Sequence, residues 1–205
     1  MKTRLILVFG MLGLVIAASS LSVLIISQNK TVSMMKSPEY DTYDKDWKKV
    51  DSLVGAGLPK SALEMVEVIY SKAQNEANHP QFIKSILYKI KLQADFQEEF
   101  METSIQDIET IIKASTTPVK QILYSIEADL YWRYYQANRY KFMDRTTAID
   151  VDKKDIRTWD LKILLDAVIE NYNASLAEPE SLKKISLKDF DDILETQKDS
   201  KKYRP

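Results

Sequence analysis

Turn-forming residues are scarce in this chain, which has 4 Gly and 6 Pro among its 205 residues. Glycine and proline separate the strands of hairpins and sandwiches, so an all-β domain of this length normally carries many more of them. Hydrophobic residues make up 45% of the chain and charged residues 29%, a balance that argues against the disordered and collagen-like classes. The composition therefore favours an α-helical fold with a buried core.

Apolar residues recur every three or four positions through most of the chain after residue 40, as a helix with one buried face requires. An example is the stripe Ala62, Met65, Val66, Ile69 and Ala73. The spacing, with its Gly and Pro boundaries, predicts helices over 46–54, from Pro59, from Pro80, through 101–112, from Pro118, over 155–176 and over 186–195. We therefore predict an all-α fold in which a transmembrane or signal helix precedes an array of antiparallel helical hairpins. The array is of the tetratricopeptide type or an irregular one.

Residues 1–30 have the pattern of a membrane-targeting segment. Lys2 and Arg4 precede an apolar run over residues 5–26, and about 22 helical residues span about 33 Å, enough for the hydrocarbon core of a bilayer. The basic start keeps the N-terminus in the cytoplasm and sends the body outward. The segment is either a retained anchor or a cleaved signal, because small residues at 18–20 offer a cleavage site.

This segment sets the predicted domain organisation. We expect a signal sequence or membrane anchor at 1–30, a spacer at 31–39 and a helical domain at 40–205. The predicted location is the cell envelope, with the body on the outer, periplasmic side of the cytoplasmic membrane, or the exterior if the leader is cleaved.

Residues that carry enzyme chemistry are few. The chain has no Cys and one His, which excludes thiolate nucleophiles, thiolate metal sites and most histidine relays. Asp150, Asp152 and Asp155 resemble a calcium loop, but Asp155 stands where that loop needs Gly and Leu161 where it needs an acid. We predict no catalytic, cofactor-binding or metal-binding residue and no enzyme activity. The enzyme-class alternative is a glycan hydrolase that uses Asp150 and Asp155.

Charge also limits the partners. The net charge is −1, and because the first thirty residues hold three bases and no acid, the remainder is more acidic still. A body of that sign has no general attraction to the phosphates of nucleic acid. We therefore predict a protein partner and no nucleic acid.

Aromatic and basic residues alternate over residues 131–142. Tyr131 and Tyr135 share one face of a predicted helix, which indicates core packing for part of the segment. Large aromatics beside Arg also mark protein contact sites. The candidate contact residues are Tyr131, Trp132, Tyr135, Arg139, Tyr140 and Phe142.

Seven stretches of the chain carry a resemblance to a known family: residues 46–53, 57–63, 80–84, 130–135, 138–142, 158–161 and 201–205. They resemble the N-terminal region of large bacterial alpha-2-macroglobulin family proteins. The resemblance implies a long secreted or envelope-anchored protein with a helical leader before many β-sandwich domains. It also implies protease trapping, in which a bait region is cleaved and an internal Cys-Gln thioester bonds to the attacker.

This chain departs from that family pattern. It has no Cys, and hence no thioester, and it has no recognisable bait segment or β-sandwich region. We expect a truncated product or N-terminal piece: a non-catalytic, envelope-anchored helical module whose partners are the remaining macroglobulin domains or proteases. The alternative is a free-standing tetratricopeptide-like periplasmic adaptor that binds protein or peptide in a helical groove.

Overall fold

Helices make up the regular secondary structure of the described residues. The computed structural model describes residues 41–143, 151–152 and 154–194, and within them lie seven α-helices, two short 3-10 turns and no strand. The α-helices are α1 (Asp41–Gly55), α2 (Pro59–Asn75), α3 (His79–Gln93), α4 (Phe100–Ala114), α5 (Val119–Met143), α6 (Leu161–Ser175) and α7 (Pro179–Leu182). The 3-10 turns are Ile156–Thr158 and Leu187–Phe190. The predicted all-α class is confirmed.

The predicted membrane anchor at residues 5–26 and the spacer at 31–39 lie outside the described residues. Of the helices in the described part of the chain, none combines the length and the apolar character that a bilayer crossing needs.

Local sequence signals set several helix boundaries. Gly57 follows α1 with a φ of +70°, a backbone conformation that costs glycine little because it has no Cβ. Pro59 lies in the first turn of α2, as predicted. The side chain of Asn78 caps α3 by accepting a hydrogen bond from the backbone N–H of Gln81 at 3.3 Å.

Other boundaries differ from the prediction, and tertiary packing explains two of them. Helix α1 begins at Asp41 rather than residue 46 because its first turns bury Tyr43 and Trp47. Helix α5 continues to Met143 rather than ending near residue 138 because its last turn buries Phe142.

The segment predicted as one helix over 155–176 is divided. Asp155 caps the 3-10 turn that follows it, and Asp160 caps α6 by accepting from the N–H of Ile163 at 2.8 Å. The extended residue Trp159 separates the two elements. The helix predicted at 186–195 is a 3-10 turn over Leu187–Phe190, and residues 195–205 lie outside the described part.

The helices form two closely packed groups. Helix α2 packs between α1 and α3, and α5 packs between α4 and α6, whereas α3 touches α4 and α5 only sparsely. The predicted stripe of α2 is buried at Ala62, Val66, Ile69 and Ala73, and α5 buries two sides because it has a neighbour on each. Residues 94–99, which connect α3 to α4, form a longer connection than the turns at 56–58 and 76–78.

Candidate protein contact site

The C-terminal half of α5 carries all six predicted contact residues. Trp132 and Tyr140 are 40% and 68% exposed, Arg139 is exposed and Tyr135 is half-buried. Tyr131 and Phe142 are 3% and 4% exposed. The helix thus divides the predicted set: four side chains reach the surface and two lie in the core.

Tyr131 serves the packing of α5 against its neighbours. Its hydroxyl donates a hydrogen bond to Glu109 Oε1 of α4 at 3.3 Å, and its ring centre lies 5.4 Å from that of Trp159. Burial raises the pKa of the Tyr131 phenol above its usual range, and the nearby carboxyls of Glu127 and Glu109 raise it further. The phenol therefore remains a neutral hydrogen-bond donor between helices.

Phe142 anchors the end of α5. Its ring centre lies 6.0 Å from that of Tyr135 and 6.2 Å from that of Tyr134, spacings typical of interacting aromatic pairs. Tyr135 in turn lies 5.3 Å from Trp132. The ring of the exposed Trp132 is thus connected through Tyr135 to the buried Phe142.

We define the α5 surface as the exposed side chains Trp132, Arg139, Tyr140 and Met143 with the half-buried Tyr135. Trp132, Arg139 and Met143 are separated by seven and four residues, so they follow one another along one side of the helix. Met143 is 78% exposed and is absent from the sequence-based set. The signal that identifies it is its spacing of four from Arg139, which becomes meaningful once α5 extends to residue 143.

A cation and a phenol are joined at the edge of the α5 surface. An Nη of Arg139 donates to the hydroxyl of Tyr140 at 2.9 Å, and the guanidinium carbon lies 4.8 Å from the centre of the Tyr140 ring. Such a pair presents a flat, partly apolar surface with positive charge. Arginine and large aromatics are the residue types that protein interfaces concentrate at their energetic centres.

The aspartates near residue 152 organise the loop before α6. The backbone carbonyl of Asp152 accepts from Trp159 Nε1 at 3.1 Å, and Asp155 Oδ1 accepts from Arg157 Nε at 2.8 Å. Hydrogen bonding to Arg157 lowers the pKa of the Asp155 carboxyl. Asp150, the other carboxylate of the hydrolase alternative, lies outside the described residues.

A groove that the sequence did not reveal lies where α3 departs from α4 and α5. Its inner part is a cleft of about 480 Å³ between the end of α3, the start of α4 and the middle of α5. Its outer part is a hollow of about 420 Å³ beside the first turn of α4 and the end of α5. Phe100 and Met101 line both parts, so we treat the two as one feature, the α3–α5 groove.

Across residues 41–143, 151–152 and 154–194, no three His, Asp or Glu side chains cluster in a way that would hold a metal ion.

Comparisons with known proteins do not assign this chain to a family. No family model, curated protein or solved structure matches this chain.

Proposed function

We propose that this chain is a non-catalytic helical module that binds another protein through the α5 surface. The observation that carries the proposal is the exposure of Trp132, Tyr140 and Met143 beside Arg139 on one helix. Exposed aromatic side chains that are held in place lose little conformational entropy on binding, which favours their use as contact anchors.

The architecture we propose for this module is an array of antiparallel helical hairpins, similar to tetratricopeptide arrays. Support comes from the short turns at 56–58, 76–78 and 115–118, which join helices that pack on each other in sequence. Stacked helices of this kind usually present surfaces for binding rather than enclosed sites for chemistry.

We further propose that the module is tethered in the cell envelope and derives from an alpha-2-macroglobulin-like protein. The apolar run over residues 5–26 supports the tether, and the stretches quoted above support the family. The family role is inhibition of endopeptidases by trapping. Because the chain contains no Cys, covalent trapping would belong to other domains, and the helical module would supply anchoring and contact.

The second candidate is a free-standing adaptor that binds protein or peptide. The α3–α5 groove favours it, because a cleft of about 480 Å³ with mostly apolar side chains is of the size that ligands and peptide side chains occupy.

Site-directed photo-crosslinking in the source cell tests the α5 surface. A photoreactive phenylalanine analogue is placed at Trp132, at Tyr140 or, as a matched control, at Tyr172 of α6, whose exposure of 43% is close to that of Trp132. We expect one discrete adduct from the two α5 positions and none from the control. Equal adducts at all three positions, or none, would contradict the proposal.

Truncation variants measure the contribution of the same surface once the adduct has identified the partner. We expect Trp132→Ala to weaken partner binding by roughly thirtyfold, equivalent to about 2 kcal/mol for a central aromatic anchor. Arg139→Ala should weaken binding by a smaller factor, and Tyr172→Ala should leave it unchanged. Thermal unfolding of each variant excludes loss of the fold as the cause.

A further inference from the structure

The segment that follows α6 reaches α3 without forming a long helix. We define the strap as residues 178–194, which include α7 and the 3-10 turn over Leu187–Phe190. Phe190 is 6% exposed and is the one buried side chain of the strap, while Leu182, Ile185 and Ile193 are partly buried. Neither α7 nor the 3-10 turn packs extensively on a helix. The strap is therefore held to the helices at few points.

Within the described part of the chain, two side-chain hydrogen bonds connect the strap to other elements. Glu178 Oε2 accepts from the hydroxyl of Thr117 at 2.9 Å, and Asp192 Oδ2 accepts from Gln81 Nε2 at 3.1 Å. Among the described residues, the backbone N–H groups of 181–193 that donate hydrogen bonds find their acceptors inside the strap. Ordering a segment costs conformational entropy at every residue, so we expect the strap to open more readily than the packed helices.

Backbone strain lies at the first residue of the strap. Glu178 has a φ of +59°, in the left-handed region that a residue with a Cβ disfavours. This conformation directs the chain from the end of α6 into α7. Because an open strap lets Glu178 return to an ordinary conformation, opening also releases strain.

The contact on α3 selects a hydrogen-bond acceptor. Gln81 is 2% exposed, and its Oε1 accepts from Trp47 Nε1 at 2.6 Å. An indole N–H can only donate, so it fixes the carboxamide with Oε1 toward Trp47 and leaves Nε2 for the strap. Gln81 therefore presents a donor, and the strap meets it with the carboxylate of Asp192.

The strap binds the helices through two side chains that are two positions apart. Phe190 is buried in the hydrophobic core, and Asp192 accepts from Gln81. Backbone hydrogen bonds from Asp191 N–H to Lys188 O at 3.3 Å and from Ile193 N–H to Phe190 O at 3.0 Å form consecutive turns around them. The unit that the helices recognise is thus an aromatic residue followed two positions later by an acid.

We propose that the strap is an autoinhibitory contact. It occupies a site that, once the strap opens, binds a segment of another protein with an aromatic residue followed two positions later by an acid. The strap seated on the site defines this chemistry, because its Phe190 and Asp192 make the contacts that the incoming segment replaces. The site shares no residue with the α5 surface or with the lining of the α3–α5 groove, so it is a further protein-binding surface.

Fluorescence anisotropy with a labelled peptide tests the site. The peptide Ser-Leu-Lys-Asp-Phe-Asp-Asp-Ile-Leu copies residues 186–194 and is titrated with the full chain in lipid nanodiscs, after subtraction of binding to empty discs. We expect weak binding to the unmodified chain, because its own strap competes at a high effective concentration. Phe190→Ala in the chain should lower the Kd of the peptide at least tenfold, and Asp192→Ala should act in the same direction.

Changes in the peptide and on α3 locate the binding. Alanine at the peptide's copy of Phe190 or of Asp192 should weaken binding at least tenfold, whereas alanine at its copy of Leu187, which is 54% exposed in the strap, should leave the Kd unchanged. In the chain, Gln81→Glu combined with Phe190→Ala should abolish binding, because a carboxylate replaces the donor. The matched control is Gln136→Glu with Phe190→Ala, at an exposed glutamine of α5, which should bind as Phe190→Ala does.

The outcomes decide the proposal in either direction. Absence of peptide binding to Phe190→Ala and Asp192→Ala, with thermal unfolding showing which of them is folded, overturns it. Binding that is unchanged by Gln81→Glu, or by alanine at the peptide's copy of Asp192, overturns it as well. If Gln81→Glu does not fold, the peptide substitutions decide, since they leave the chain intact. Because crosslinking at Trp132 and Tyr140 is measured independently, failure at the strap site is distinguishable from failure of the α5 surface.

Discussion

A carboxyl group is enclosed between α4 and α5. Glu127 is 3% exposed, and its Oε1 has no hydrogen-bond partner among the described residues. Burial raises the pKa of Glu127 to about 8, and the carboxylate of Glu109 adds to the rise while Lys113 opposes it. At neutral pH the folded protein therefore holds a proton on Glu127 that the unfolded chain releases.

The free energy of unfolding should depend on pH through this group. The contribution of Glu127 to the free energy of unfolding is fully present below pH 4.5, the pKa of this carboxyl in the unfolded chain. It falls as the pH rises and is fully lost above about pH 8. Within that window the expected slope is about −1.4 kcal/mol per pH unit. Glu127→Gln removes the titration, so its unfolding free energy should vary less between pH 5 and pH 8 in urea denaturation.

Glu170→Gln, at an exposed carboxyl of α6, is the control for this prediction and should retain the slope of the unmodified chain. If the slopes of the unmodified chain and of Glu127→Gln coincide, Glu127 is ionised in the folded protein and the prediction is wrong.

At the scale of elements, the end of α1 depends on one backbone conformation. Gly57 has a φ of +70°, and a Cβ added there would meet no atom within 4 Å. The same open space surrounds Gly55, which is the last residue of α1. The two glycines thus differ in conformation and not in crowding.

This difference predicts opposite effects of the same substitution. Gly57→Ala should destabilise the protein by about 1 kcal/mol, because a Cβ disfavours the left-handed region. Gly55→Ala should be neutral or should stabilise the protein by up to about 1 kcal/mol, because alanine loses less backbone entropy in a helix. Chemical denaturation at one pH measures both, and equal losses of stability would show that the φ of Gly57 is not what matters.

Element boundaries show where sequence reasoning succeeded and where it did not. Glycine and proline signals placed the end of α1 and the start of α2 within a residue or two. The same reasoning ended α5 too early, since Arg139 and Lys141 interrupt the apolar pattern there. Only the packing of Phe142 against Tyr134 and Tyr135 shows why the helix continues.

At the scale of the whole molecule, residues that are distant in the chain meet at Gln81. Gln81 is buried in α3; its Oε1 accepts from Trp47 Nε1 at 2.6 Å and its Nε2 donates to Asp192 Oδ2 at 3.1 Å. Phe190, two residues before Asp192, is buried. The segment after α6 therefore packs back against the α1–α3 group.

The proposed tether and family give a prediction for the intact protein. Membranes of the source cell, washed with alkaline carbonate, should retain the protein detected by an antibody against the described helices. Deletion of residues 5–26 should release it, because the apolar run is the proposed anchor.

The mass of the retained species separates the two candidate functions. A species much larger than 23.7 kDa supports a macroglobulin-like protein with further domains, and a species near 23.7 kDa supports the free-standing adaptor. Release of the unmodified chain by carbonate would contradict the tether.

The sequence by itself determined the helical class and the buried stripes, because both follow from local properties: few turn formers and an apolar repeat near 3.6 residues. It also identified the aromatic segment of α5, but residue types alone do not distinguish exposed aromatic side chains from buried ones. Which of them face outward was decided by the neighbours of α5, as Tyr131 and Phe142 pack inward while Trp132 and Tyr140 do not. The α3–α5 groove and the enclosed Glu127 arise from helices meeting or failing to meet across long sequence separations, and no local pattern encodes that.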